Sequence, residues 1–95
     1  MSNYAIRVEL RGNPTYDQYT TLHALMAKQG FLQTINGTDN QGKQQKFNLP
    51  HAVYYGASNQ SCGAVRDAVI SAVKAQVQKD IIVFVVQAEN WALGW

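Results

Sequence analysis

The segment Tyr4-Ala5-Ile6-Arg7-Val8-Glu9-Leu10 decides the fold, because apolar and polar side chains alternate along it with a period of two. That period is typical of a β-strand with one buried face and one solvated face. The remaining segments complete the order β-α-β-β-α-β, which indicates an α+β, ferredoxin-like sandwich of two helices on one antiparallel sheet. At 95 residues the chain has room for a single domain, residues 1–95. Such a sheet leaves one face available to a partner, although the fold does not name that partner.

The composition excludes several classes of protein. A hydrophobic fraction of 46% is typical of a globular chain and excludes disorder, while a net charge of +2 is compatible with nucleic-acid binding but far below the basic character that would argue for it. The single Cys62 excludes an internal disulfide and favours a reducing compartment. We expect no signal peptide, because no basic segment followed by an apolar segment comes after Met1, and the apolar run Ile81 to Val86 is too short to span a bilayer. We therefore expect a cytoplasmic protein without a membrane partner.

The first helix has two alternative starts in the sequence. Asn13 can act as N-cap with Pro14 at the first helical position, or Thr15 and Gln18 can form a capping box. Gly30 predicts the end of the helix. The apolar stripe between these signals consists of Tyr19, Leu22, Leu25 and Met26.

The middle of the chain predicts two strands joined by a long polar turn. Phe31 to Ile35 is predicted as the second strand, and residues 36–42 form a turn rich in Asn and Gly. Residues 43–46 are a polar approach to the third strand. Because Pro50 cannot donate a ladder hydrogen bond, we expect that strand around His51 to Tyr55.

The last third predicts a valine-rich helix and a fully apolar strand. Ser58 or Asn59 can cap the helix, and Asp80 is predicted to end it. Ile81 to Val86 then predicts an edge strand whose two apolar faces both need cover. The helical stripe consists of Val65, Val69, Val73 and Val77.

The carboxyl-terminal tail again alternates with a period of two, through Trp91, Leu93 and Trp95. Two tryptophans so close to a chain end are not expected to stand free in water. Either the tail folds back over its own core, or it forms an extra strand or arm at the interface of a homodimer. The sequence leaves both interpretations open.

Signals for metal or cofactor chemistry are sparse. The sequence contains no P-loop, no GxGxxG, no CxxC pair and no GxSxG. Metal sites need clustered ligands, whereas the acidic residues are spread singly along the chain. We therefore expect no metal and no small-molecule cofactor. The six acids are Glu9, Asp17, Asp39, Asp67, Asp80 and Glu89.

The candidate proton-transfer residue is His51, which follows the rigid Pro50 and precedes two tyrosines. His23 lies beside the core stripe of the first helix, so we interpret it as a boundary residue without a catalytic role. By residue type alone, Cys62 and either histidine could form a nucleophile–base pair. A lone cysteine near a helix start is more often inert.

The outward face of the first strand carries Arg7 and Glu9, with Arg11 just beyond. The simplest interpretation is an ordinary solvated face. The alternative is a phosphate-binding surface for single-stranded RNA, because guanidinium groups bind phosphate bidentately and stack on bases. Lys43 and Lys46 in the turn would extend that surface.

The ordered segments also resemble a known family. Leu22-His23-Ala24-Leu25-Met26, then Gly30-Phe31, a glycine-containing turn, Leu49-Pro50 and an aromatic tail are similar to the GhoS-type antitoxins. These are small ferredoxin-like proteins of type V toxin–antitoxin systems, and they share their fold with a family of CRISPR-associated nucleases. The resemblance runs through most of the chain, and it implies an endoribonuclease that cleaves the messenger RNA of a small membrane toxin.

This chain departs from those nucleases at the end of the first strand, where they carry an aspartate and it has Leu10 and Arg11. We therefore expect a metal-independent mechanism, with His51 moving protons in attack by the 2′-hydroxyl and the arginines neutralising charge on phosphate. The alternative is a non-enzymatic, homodimeric module that binds protein or RNA. In both cases we expect Trp91, Leu93 and Trp95 at the dimer interface.

Overall fold

The computed structural model describes residues 1–94 and shows an α+β fold with two helices and five antiparallel strands, which confirms the predicted fold class. Neither helix within those residues has the length and apolar character needed to cross a lipid bilayer. In chain order, the elements are β1 (Ser2–Leu10), α1 (Tyr16–Lys28), β2 (Thr34–Thr38), β3 (Gln44–Asn48), β4 (Val53–Ser58), α2 (Cys62–Gln76) and β5 (Ile81–Gln87).

The strands form a three-stranded sheet in the order β4-β1-β5 and a separate hairpin of β2 and β3. A single bridge between Leu32 and Tyr55 joins the segment before β2 to the edge of β4. The predicted β-α-β-β-α-β order is therefore matched only roughly, because β3 is an added strand. As predicted, the last strand lies at an edge of the sheet.

The core lies between the sheet and the two helices. One face of β1 is fully buried, while the alternating residues Arg7 and Glu9 are exposed on the other. Full burial of such apolar side chains contributes about 1.5–3 kcal/mol each, which makes this layer the main source of stability. The predicted stripes are confirmed, although Tyr19 and Val77 are only partly buried against the core and Val77 lies just past the end of α2. The buried core includes Tyr4, Ile6, Val8, Leu10, Leu22, Leu25, Met26, Val65, Val69 and Val73.

Helix α1 begins at the second of its two predicted starts. The side chain of Thr15 accepts a hydrogen bond from the Gln18 N–H, and the Gln18 side chain accepts one from the Thr15 N–H, which completes a capping box. At the other end Gly30 has a φ of +90°, and the N–H of Phe31 donates to the Met26 carbonyl. This pattern is a Schellman motif, and it explains why glycine is favoured there.

The predicted boundaries of α2 were wrong at both ends. Ser58 ends β4 and pairs with Ser2, so it is not available as a cap. Ser61 caps the helix instead, accepting a hydrogen bond from the N–H of Ala64. The helix ends at Gln76, and Asp80 lies in the connection to β5.

The predicted long turn is shorter than expected, because Asp39 organises it. Its carboxylate accepts hydrogen bonds from the backbone N–H groups of Gln41 and Lys43, at 2.8 and 2.9 Å. These bonds lower the pKa of Asp39 and allow the chain to reverse within residues 39–42. Residues 36–38 therefore belong to β2, and the predicted polar approach becomes strand β3.

Candidate active site

His51 lies in a tight turn before β4, so its predicted position in a strand was wrong. The N–H of Val53 donates to the Pro50 carbonyl at 3.1 Å and closes the turn. Ala52 has a φ of +59° and is only 3% exposed. This left-handed conformation costs free energy for a residue with a Cβ, and such strain is concentrated at functional sites. The turn places the exposed His51 side chain against α1.

Two histidines and two tyrosines meet where this turn packs on α1. The ring of His51 lies 4.4 Å from that of Tyr19 and 6.1 Å from that of His23, measured between centroids. The Nδ1 atom of His23 is 2.7 Å from the hydroxyl oxygen of Tyr54, which projects from the buried face of β4. We call these four residues the histidine cluster. Three separate elements build it.

Burial and charge shift the acid–base properties of the histidine cluster. Partial burial, followed by the positive charge of His51, lowers the pKa of His23 below its usual 6.5. Burial, and then the phenolate charge of Tyr19, raise the pKa of Tyr54, so its hydroxyl stays protonated at neutral pH. Near pH 7, His23 is therefore a neutral imidazole beside a protonated tyrosine.

The hydrogen bond to Tyr54 determines which nitrogen of His23 can act. A tyrosine hydroxyl both donates and accepts, so it pairs with Nδ1 in either tautomer of the ring. In both cases Nε2 is the nitrogen left for a substrate atom. With the hydrogen on Nδ1, Nε2 keeps a free lone pair and can accept a proton.

The sequence led us to interpret His23 as a boundary residue without a catalytic role, although it lies at the centre of the histidine cluster. A usable signal was present, because Tyr19 and His23 are four residues apart and so share one face of α1. What the sequence did not show is that the turn at His51 packs on that same face.

Of the predicted phosphate-binding residues, Arg11 lies at the same end of the molecule as the histidine cluster. Its N–H donates to the Asp80 carbonyl at 3.0 Å, and its carbonyl accepts from Gln78 Nε2 at 2.8 Å. Gln18, next to Tyr19 in sequence, donates to the Gln78 side chain at 3.1 Å. This chain of polar contacts ties the segment of Arg11 to the start of α1.

The other predicted basic residues lie on two further surfaces. Arg7 is on the sheet face opposite the helices, where it pairs in register with Val53 and Phe84. Lys43 and Lys46 are exposed on the β2–β3 hairpin. The structure therefore does not bring the four predicted phosphate contacts together in one patch.

Cys62 belongs to a different part of the fold from the histidine cluster. Its Sγ donates to the carbonyl of Val85 at 3.4 Å, where α2 begins beside β5. Within residues 1–94, no group of three or more His, Cys, Asp or Glu side chains is placed to hold a metal ion.

The described part of the tail, residues 88–94, forms no strand and packs on its own chain. The indole of Trp91 fits against Gly37 so closely that a Cβ at position 37 would lie 2.7 Å from it. Trp91 and Leu93 also line a groove of about 430 Å³ between the tail, the hairpin and the outer sheet face. These contacts are those of a tail folded back on its own chain, while Trp95 lies outside the described residues.

Comparison with known proteins adds no assignment, since no protein-family model matches the chain and no curated protein is significantly similar to it.

Proposed function

We propose that this protein is a cytoplasmic, metal-independent endoribonuclease that cleaves single-stranded RNA at the histidine cluster. The observation that carries the proposal is the pair of imidazoles, His23 and His51, which lie 6.1 Å apart between centroids, with His23 hydrogen-bonded to Tyr54. Two imidazoles at this distance supply an acid and a base at near-neutral pH without a metal or cofactor. The resemblance to GhoS-type antitoxins suggests the substrate class, a toxin messenger RNA.

The pKa relation within the pair assigns the roles. Because burial, and then the positive charge of His51, lower the pKa of His23, we assign His23 the role of neutral base and His51 the role of acid. Nε2 of His23 then accepts the proton of the RNA 2′-hydroxyl, whose oxygen bonds to the adjacent phosphorus. The bond from phosphorus to the 5′-oxygen breaks, and His51 gives its proton to that oxygen. The products are a 2′,3′-cyclic phosphate and a 5′-hydroxyl.

Arg11 is the cation best placed to bind the phosphate near the histidine cluster. Its guanidinium would neutralise the charge that develops on the phosphate oxygens. Lys43 and Lys46 on the hairpin would hold flanking phosphates. Arg7 lies on the other side of the sheet, so we leave it out of the phosphate contacts.

The test is cleavage of a defined single-stranded RNA by the purified chain in saturating EDTA. Wild-type protein should cleave it and leave 2′,3′-cyclic phosphate ends. His51→Ala and His23→Ala should each lower the cleavage rate about 10²–10⁴-fold and leave RNA affinity nearly unchanged, because proton transfer acts in the transition state. Gln44→Ala, on the exposed hairpin, is the matched control and should cleave like wild type.

Arg11→Ala tests the phosphate contact separately. It should weaken RNA binding and flatten the log–log dependence of affinity on salt by somewhat under about one unit. Undiminished cleavage by both histidine variants would show that the site is wrong. Activity restored only by Mg²⁺ or Mn²⁺ would contradict the metal-independent route.

The alternative proposal is a non-enzymatic interaction module, and a specific observation favours it. Ile82, Phe84 and Val86 of β5 all expose apolar surface on the outer sheet face. Failure of the wild-type chain both to bind and to cleave RNA would support this alternative.

A further inference from the structure

The outer face of the sheet carries a compact patch of two charges and two apolar side chains. Arg7 pairs in register with Phe84, and Glu9 pairs with Ile82, so the four side chains form two adjacent rows on β1 and β5. Phe84 is 62% exposed and Ile82 is 47% exposed. We call these four residues the outer patch.

Within residues 1–94, the rest of the chain does not cover the outer patch. The groove beside the tail is lined by Ala5, Val53, Tyr55 and Val86, which are the neighbouring part of the same face. Within residues 1–94 the one ion pair is Arg66–Asp67, so Arg7 and Glu9 are unpaired there. From the sequence we expected both apolar faces of the last strand to be packed against other residues. Within residues 1–94 the outer face of β5 stays exposed to solvent at Ile82 and Phe84.

We propose that the outer patch binds a second copy of this chain, face to face, about a two-fold axis. The axis lies in the plane midway between the two facing sheets. It runs at right angles to the strands and crosses over β1 at Val8. This rotation reverses the strand direction, so Arg7 lies opposite the partner subunit's Glu9. The same rotation places Phe84 opposite the partner subunit's Ile82. Both the charged and the apolar halves of the patch are therefore complementary to themselves.

The charges of Arg7 and Glu9 favour this axis over other two-fold axes, and they favour a second copy of the chain over RNA. A two-fold axis running along β1 would place Arg7 on itself, and like charges in contact oppose docking. Packed sheets lie about 10 Å apart, a gap that Arg and Glu side chains from the two sides can bridge. RNA fits less well, because the Glu9 carboxylate repels phosphate. Trp91 and Leu93 lie beside the patch, so the tail would flank the interface.

Charge reversal combined with a swap tests the proposal directly. By symmetry, Arg7→Glu creates two Glu–Glu contacts per dimer, and Glu9→Arg creates two Arg–Arg contacts. Each variant should weaken dimerisation at least about tenfold in sedimentation equilibrium, whereas the double variant Arg7→Glu/Glu9→Arg should return it to within about threefold of wild type. Lys43→Glu makes the same charge change on the exposed hairpin and should dimerise like wild type.

Phe84→Ala is a second variant that does not depend on charge. The side chain is mostly exposed in the single chain, so the variant should keep its circular dichroism spectrum and lose dimerisation. A wild-type chain that stays monomeric at high micromolar concentration would overturn the proposal. It would equally be overturned if both charge variants dimerise normally while deletion of residues 91–95 abolishes the dimer, since the interface would then be the tail. RNA cleavage by the same preparations is measured separately, so loss of one proposal does not decide the other.

Discussion

The two faces of the β4-β1-β5 sheet are built from alternate residues of the same strands, yet they differ in how much of their apolar surface the chain buries. The inner face buries Tyr4, Ile6 and Val8 against both helices. Among residues 1–94, no buried side-chain nitrogen or oxygen lacks a hydrogen-bond partner. Within the same residues, the outer face leaves Phe84 and Ile82 in solvent beside the unpaired charges of Arg7 and Glu9. The inner face therefore supplies stability, and the outer face is the one available for recognition.

The same substitution on each face should give the largest contrast. Ile6→Ala empties a fully buried position, at 0% exposure, and should lower the free energy of unfolding by about 2–5 kcal/mol. Ile82→Ala removes a side chain that is 47% exposed and should cost less than about 1 kcal/mol. Urea unfolding followed by circular dichroism at low micromolar concentration measures both.

The low concentration matters because Ile82 belongs to the outer patch, and a dimer would add its own stabilisation. Equal losses from the two substitutions would show that the outer face is already covered within the chain. A small loss for Ile6→Ala would contradict the placement of the core.

A smaller effect is expected where the inner layer meets solvent, at His23. Its folded-state pKa lies below the unfolded value of 6.5, so above pH 6.5 the imidazole is neutral in both states and stability is highest. As pH falls through 6.5 the unfolded chain takes up the proton first, and stability declines until the folded pKa is reached. Because the ring is only partly buried, we expect a loss below about 1 kcal/mol between pH 7.5 and pH 5.

His23→Gln should flatten this pH dependence in parallel unfolding experiments. His51→Gln removes only the second of the two causes of the shift, so it should keep most of the slope that His23 produces. Identical slopes for wild type and His23→Gln would show that burial does not perturb this imidazole.

The core between the sheet and the helices was predicted well from the sequence, because the spacing of apolar residues indicates directly which side chains a helix or strand buries. The stripe of α1 and the alternation in β1 are local patterns, and both are confirmed. The capping box at Thr15 and the glycine at position 30 are likewise local chemistry. Such features need no knowledge of distant residues.

Strand β3 was missed because it has almost no pattern of its own. Gln44–Asn48 contains a single apolar residue, Phe47, and becomes a strand by pairing with β2 across the turn at Asp39. The histidine cluster was half missed for a related reason. His51 was chosen from its neighbours in sequence, whereas its ring partners Tyr19 and His23 come from α1, which only the fold brings to that turn.

The smallest expected effect tests how the tail sits on the outer side of the molecule. Gly37→Ala adds a Cβ that would lie 2.7 Å from the Trp91 indole and 3.2 Å from the Phe47 ring. The indole is the far end of a side chain and can swing away, so stability should change by no more than about 1 kcal/mol. In a Trp95→Phe background, where Trp91 is the sole tryptophan, fluorescence should shift to the red and acrylamide quenching should increase. Gly94→Ala, whose added Cβ meets nothing within 4 Å, is the control. An unchanged spectrum for Gly37→Ala would show that Trp91 is not packed on the hairpin in solution, and the tail would then be free to act at an interface.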